Sequence, residues 1–152
     1  HEVGFNYRIT DFQCALGSNQ LKKLDGFVQK RRIIAKNYDD SFADIENLKT
    51  PEVDSTVEHS YHLYPLQIEF EKLALTKVQL FEKMRKEDIN LQVHYIPIHL
   101  QPFYKKNYGF KEGNFPISEN LYKCEVSLPV YPDLTSNEQK KVIGKIKQFI
   151  DE

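Results

Sequence analysis

His62-Leu63-Tyr64-Pro65-Leu66-Gln67-Ile68-Glu69-Phe70 sets His62, Tyr64, Leu66, Ile68 and Phe70 on one face and Leu63, Pro65, Gln67 and Glu69 on the other. Successive side chains of a strand leave on opposite sides, so this period of two predicts a β-strand with one apolar face, where His62 would be a hydrogen-bonded core histidine. Pro65 has no N–H to give to a ladder, which predicts an edge position or an irregularity. Next, Thr76-x-x-Gln79 forms a capping box, in which the N-cap hydroxyl and the N3 amide satisfy each other's backbone N–H. It predicts a helix that buries Leu80, Phe81 and Met84 and ends near Asp88. Ile89, Leu91, Val93 and Tyr95 then alternate with Asn90, Gln92, His94 and Ile96, predicting a second strand whose other face carries Asn90, Gln92 and His94 in a row.

Upstream, Thr10-x-x-Gln13 is another capping box, predicting a helix to about Leu24 with a break at Asp25-Gly26. Leu24, Phe27, Val28, Arg31, Ala35, Tyr38 and Phe42 follow at helical spacing, and the run Lys30-Arg31-Arg32 reads as a solvated face. Residues 45 to 60 have no period and read as a connector. Downstream, residues 97 to 114 read as a long aromatic loop, Pro116 opens a short helix to about Cys124, and residues 127 to 130 are extended. Thr135-x-x-Glu138 caps a last helix with the stripe Val142, Ile143, Ile146, Phe149 and Ile150. The expectation is an α+β fold, helices packed on a small sheet, in a single domain over residues 1–152.

The balance of 21 basic against 22 acidic residues gives no electrostatic reason to expect a nucleic acid or an anionic membrane as partner. No apolar run is long enough to span a bilayer and no secretory signal is visible. Cys14 and Cys124 form no C-x-x-C pair, read as small core residues, and fit a reducing cytoplasm. The single methionine is Met84, so His1 is not an initiator, and the chain is expected to be part of a longer polypeptide.

Few residues carry recognisable chemistry. There is no G-x-S-x-G nucleophile elbow, Walker pattern or G-x-G-x-x-G. His59-x-x-His62 and His94-x-x-x-x-His99 could supply imidazoles, but no carboxylate completes a familiar set, so no metal is expected. Two stretches stand out. Gly4-Phe5-Asn6-Tyr7-Arg8 puts an amide and a guanidinium just before a helix N-terminus, a natural anion site or simply a capped loop with solvated tips. His94-Tyr95-Ile96-Pro97-Ile98-His99-Leu100-Gln101-Pro102-Phe103-Tyr104 mixes prolines, imidazoles and rings, which suits a sugar or a packed surface loop.

Gly4-Phe5-Asn6-Tyr7-Arg8-Ile9-Thr10-Asp11-Phe12-Gln13, Ala15-Leu16-Gly17, Gln20-Leu21, Lys30-Arg31-Arg32, Tyr61-His62-Leu63-Tyr64, His94 to His99 and Ser127-Leu128-Pro129 together resemble the DegT/DnrJ/EryC1/StrS family of sugar aminotransferases. The His94 to Tyr104 stretch is most similar to the branch acting in pseudaminic acid synthesis. The resemblance implies the small C-terminal domain of a fold type I enzyme that depends on pyridoxal 5′-phosphate. Such enzymes move an amino group from glutamate to a 4-keto nucleotide sugar, here UDP-linked, and work as homodimers. The family's Schiff-base lysine lies upstream of the Asn-Tyr-Arg motif, so no catalytic residue is expected in this chain, and the large cofactor domain is expected to be missing from it. By the same resemblance Asn6 reaches the cofactor phosphate of the partner subunit, and Arg8 meets a substrate anion near the entrance. Leu91, Gln92, Val93 and His94 line the sugar-nucleotide site, with Tyr95 and His99 on the adjoining loop. The alternative is a stand-alone sugar-nucleotide-binding or dimerisation module without catalysis.

Overall fold

The computed structural model describes residues 2–151; His1, on which the expectation of a longer polypeptide turns, lies outside them. The elements run α1 (Asp11–Leu21), α2 (Leu24–Phe42), β1 (Leu48–Lys49), β2 (Tyr64–Ile68), α3 (Lys77–Lys86), α4 (Pro102–Tyr108), α5 (Pro116–Cys124), β3 (Glu125–Leu128) and α6 (Ser136–Asp151). The α+β expectation holds. Helices are set around an antiparallel sheet of order β1-β2-β3.

The alternation around Leu66 is realised as burial: Tyr64, Leu66 and Ile68 are sealed, while Pro65 and Gln67 are only partly covered. Pro65 is tolerated for a geometric reason. It stands opposite Ser127 of β3, whose N–H and C=O both turn away to pair with Gln92. The Pro65 nitrogen therefore points to the other side of β2, where β1 reaches only Gln67 and Ile68. Thus Pro65 lies in the middle strand of the sheet, at a position where no ladder bond is missing.

One apolar cluster joins these elements. Ile34, Ala35, Tyr38 and Phe42 of α2 meet Leu80 and Met84 of α3, Val142, Ile146 and Phe149 of α6, and the inner face of the sheet. Burial keeps the Tyr38 and Tyr64 phenols protonated by raising their pKa, and both hydroxyls find partners: the Tyr38 hydroxyl donates to the Pro129 carbonyl at 2.9 Å and the Tyr64 hydroxyl to Asp39 at 2.6 Å. Buried Gln139 ties α6 to α2, donating to the Ile34 carbonyl at 2.7 Å and accepting from Asn37 at 3.1 Å. All three capping boxes form, at Thr10, Thr76 and Thr135.

Several local expectations are corrected. The first break falls at Lys22-Lys23, and Gly26 lies inside α2. The connector contains β1, a two-residue strand. His62 is exposed and outside β2, so it is not a core histidine. The second strand reduces to a single bridge, Gln92 to Ser127, and the aromatic loop contains α4. Arg31 and Arg32 are half-buried, their guanidinium Nε groups donating to the carbonyls of Ser60 and His59, each at 2.9 Å, so that run anchors the connector and is no purely solvated face. Cys14 is exposed; Cys124 is half-buried, and burial raises its thiol pKa.

Candidate functional site

The alternation of Glu125 and Ser127 along β3 places both on one face of a strand that is buried throughout, with exposures of 2% and 4%. Gln92 bridges to Ser127, its N–H donating at 3.2 Å and its C=O accepting from Ser127 at 2.8 Å, which delivers the next residues onto that carboxylate and hydroxyl. The His94 backbone N–H donates to Glu125 Oε2 at 3.1 Å. The His94 ring Nδ1 lies 2.7 Å from Ser127 Oγ, and that hydroxyl lies 2.5 Å from Glu125 Oε1. Of the expected sugar-site residues, Leu91 is buried, Val93 and His94 are half-buried, and Gln92 and Tyr95 are exposed. The His94–Tyr95 peptide is cis, and the Tyr95 ring meets the His94 ring edge-on, with centroids 4.7 Å apart.

His99 lies deeper. It is 7% exposed, and its Nε2 stands 2.7 Å from Glu119 Oε1. Glu119 also accepts from the Gly113 N–H, at 3.0 and 2.8 Å to its two oxygens, and from the Phe115 N–H at 3.2 Å. Phe115 covers the imidazole at 4.7 Å between centroids. This knot joins the turn at Ile98–Leu100 to the loop before α5. Its carboxylate is held below the ordinary range chiefly by the Gly113 N–H, against the opposing effect of burial. A carboxyl with a depressed folded pKa contributes stability that is complete above the unfolded value, about 4.3. That contribution is lost as the pH falls through the lower folded value. Thermal melts of Glu119→Gln should therefore show a stability deficit at neutral pH that narrows on acidification below about 4.3. A deficit independent of pH would remove this role.

Asn6 and Arg8 stand in a different setting. Every residue from Glu2 to Gly26 is exposed, and α1 buries no side chain. Asn6 Oδ1 accepts from the Arg8 N–H at 3.3 Å, which turns the amide into a short local clamp and leaves its NH₂ as donor. Thr10 caps α1, and Asp11 already sets a negative charge in the first turn. Asn6 thus keeps its NH₂ and Arg8 its guanidinium as donors on this exposed stretch, while the dipole of α1 is matched by its own acid. Among the described residues no cluster of three or more metal-ligating side chains occurs, and no helix is long and apolar enough to cross a membrane.

The model of the DegT/DnrJ/EryC1/StrS aminotransferase family matches residues 1–147. The chain belongs to that family. It is 40% identical over 151 residues to the uncharacterized protein MJ1066 of Methanocaldococcus jannaschii, covering 99% of this chain and 39% of that one. It is 39% identical over 141 residues to a Campylobacter jejuni UDP-4-amino-4,6-dideoxy-N-acetyl-beta-L-altrosamine transaminase, covering 93% of this chain and 37% of that one. Among solved structures, Helicobacter pylori PseC, an aminotransferase involved in pseudoaminic acid biosynthesis, superposes with a TM-score of 0.87 at 27% identity, covering 99% of this chain and 40% of that one. A Streptococcus pneumoniae protein described as a candidate sugar aminotransferase, solved in pyridoxal phosphate (PLP) and pyridoxamine phosphate (PMP) forms, superposes with TM-scores of 0.84 and 0.83 at 28% and 30% identity, covering 95% of this chain and 36% of that one. The chain therefore spans about two fifths of the length of the family members it matches.

The sequence pointed to His94 and Gln92, held Ser127 only as part of a motif with no role, and passed over Glu125 and Glu119. A signal was present: in Glu125-Val126-Ser127-Leu128 the polar residues recur with a period of two inside an otherwise apolar strand.

Proposed function

We propose that this chain is the small C-terminal domain of a cytoplasmic, homodimeric enzyme that moves an amino group from glutamate to a UDP-linked 4-keto sugar of the pseudaminic acid type. The observation that carries this reading is the state of residues 2–26. They hold Asn6 and Arg8, expose Phe5, Phe12 and Leu21, and have no core of their own, which is how half of a composite site looks. The family match and the Campylobacter relative support the chemistry.

Pyridoxal phosphate, when bound, supplies the electron sink for exchange of the amino group. On this chain the Asn6 amide would donate to its phosphate, across the subunit boundary. Arg8 meets a substrate anion. Leu91, Gln92, Val93 and His94 line the sugar-nucleotide site and Tyr95 offers a ring face. His99, tied to Glu119, holds the loop behind them.

The test is reductive trapping. A longer natural form of the protein is incubated with pyridoxal phosphate and reduced with borohydride, and the pyridoxyl-lysine is located by peptide mass mapping. The label is expected on a lysine outside residues 1–152. The sharpest internal competitor is Lys77, whose ammonium is destabilised by burial and whose Nζ donates to the Tyr122 carbonyl at 2.7 Å. A label on Lys77, or none at all, would overturn the proposal; the second outcome would favour a binding or dimerisation module.

A further inference from the structure

We propose that Ser127 and Glu125 are positioning residues that fix His94 in a single tautomer, so that its Nε2 accepts a hydrogen bond from a hydroxyl or N–H of the sugar and does not donate to the nucleotide's phosphates. This rests on the proposed placement of His94 against the sugar nucleotide, and it adds which proton the ring carries there.

Ser127 Oγ has one proton and two neighbours, Glu125 Oε1 at 2.5 Å and His94 Nδ1 at 2.7 Å. An ionised carboxylate only accepts, so the hydroxyl proton goes to Glu125 and the hydroxyl oxygen must accept from the ring. Nδ1 is then the protonated nitrogen, and Nε2 keeps the lone pair. The second carboxylate oxygen accepts the His94 backbone N–H, so Glu125 holds this residue by main chain and side chain together. Both Glu125 oxygens are thus placed as acceptors, one from Ser127 and one from the His94 main chain. With Glu125 at 2% and Ser127 at 4% exposure, water does not compete for these bonds. Were Glu125 protonated, the relay would run backwards: the acid would donate to Ser127, Ser127 to Nδ1, and Nε2 would carry the proton. The two arrangements make opposite ligand partners of one side chain.

Nitrogen-15 spectra of the labelled chain at neutral pH decide between them. The His94 signal is identified by its loss in His94→Gln. Expected is a pyrrole-like Nδ1 and a pyridine-like Nε2; the reverse, or a mixture, would overturn the proposal. In Ser127→Ala the population should move toward the Nε2–H form, and an unchanged spectrum would remove Ser127 from the role. Should that variant fail to fold, Glu125→Gln serves as a stronger test. Its amide oxygen keeps the His94 backbone bond, which turns the NH₂ toward Ser127 and reverses the relay, so the tautomer should invert. A packing role alone would leave the tautomer untouched. In the full-length enzyme Glu125→Gln should raise KM for the sugar nucleotide about tenfold with a smaller change in kcat. The expected tautomer together with an unchanged KM in His94→Gln would leave the relay standing and refute the placement of His94 on the sugar.

Discussion

Phe42→Ala is expected to lower the free energy of unfolding by about 3–5 kcal/mol, the cost of emptying a large aromatic site that cannot collapse. Phe42 is 1% exposed and lies nearly parallel to Tyr38, with centroids 5.9 Å apart; Tyr38 in turn tilts onto Tyr64 at 4.9 Å. This aromatic column connects α2 to the middle strand of the sheet. Its removal exposes the face on which Leu66 and Ile68 depend, and the neighbouring rings are pinned by their hydroxyls to Pro129 and Asp39, so they cannot slide in to fill the space. Domains of this kind have about 5–15 kcal/mol in total, so this one side chain accounts for a large fraction of the whole. Ile33 on the same helix is 62% exposed, and Ile33→Ala should change stability by no more than about 0.5 kcal/mol. Urea titrations of both variants check the contrast; equal losses would mean that α2 is not buried on the face described.

The contrast between Phe42 and Ile33 is legible in the sequence, because a stripe at helical spacing states which side of α2 is covered. The same holds for the three capping boxes and for the alternation in β2. What the sequence hid has physical causes. The Ile89–Ile96 segment alternates as a strand should, yet only Gln92 finds a bridging partner, and His94 gives its backbone N–H to the Glu125 side chain and its ring to Ser127 instead of continuing the ladder. Local pattern carries no information on a side chain of the partner strand that competes for the backbone N–H. In residues 97–114 the rings masked a helix: Pro102 at its first turn and Gly109 with positive φ at its end bracket α4, and both signals were available. His99 resembled a surface ligand because its partner, Glu119, is twenty positions away and lies on a different element.

Hydrogen exchange in this chain should separate α1 from α6 by about three orders of magnitude or more. Helix α6 buries Val142, Ile146 and Phe149 in the common core, so its amides open only with the whole fold. Helix α1 has 11 residues and buries none of them. Isolated helices below about 12–15 residues are marginal in water, and one capping box contributes only about 1 kcal/mol. Its amides should therefore exchange near the unprotected rate, with Phe12, Leu16 and Leu21 left in solvent. The same amides in a longer form of the protein should be protected, because those apolar side chains then have a surface to cover. Dilution controls for self-association: protection that falls with concentration would identify a second copy of this chain as the cover. Protection of α1 equal to that of α6 at every dilution would overturn the composite-site reading, since Asn6 and Arg8 would then be held by this chain alone. On the proposed composite site, ordering α1 and presenting Asn6 would be one event: the apolar contacts that fold the helix would also bring the amide to the phosphate, so that a single change in α1 packing would be read both in exchange and in cofactor retention.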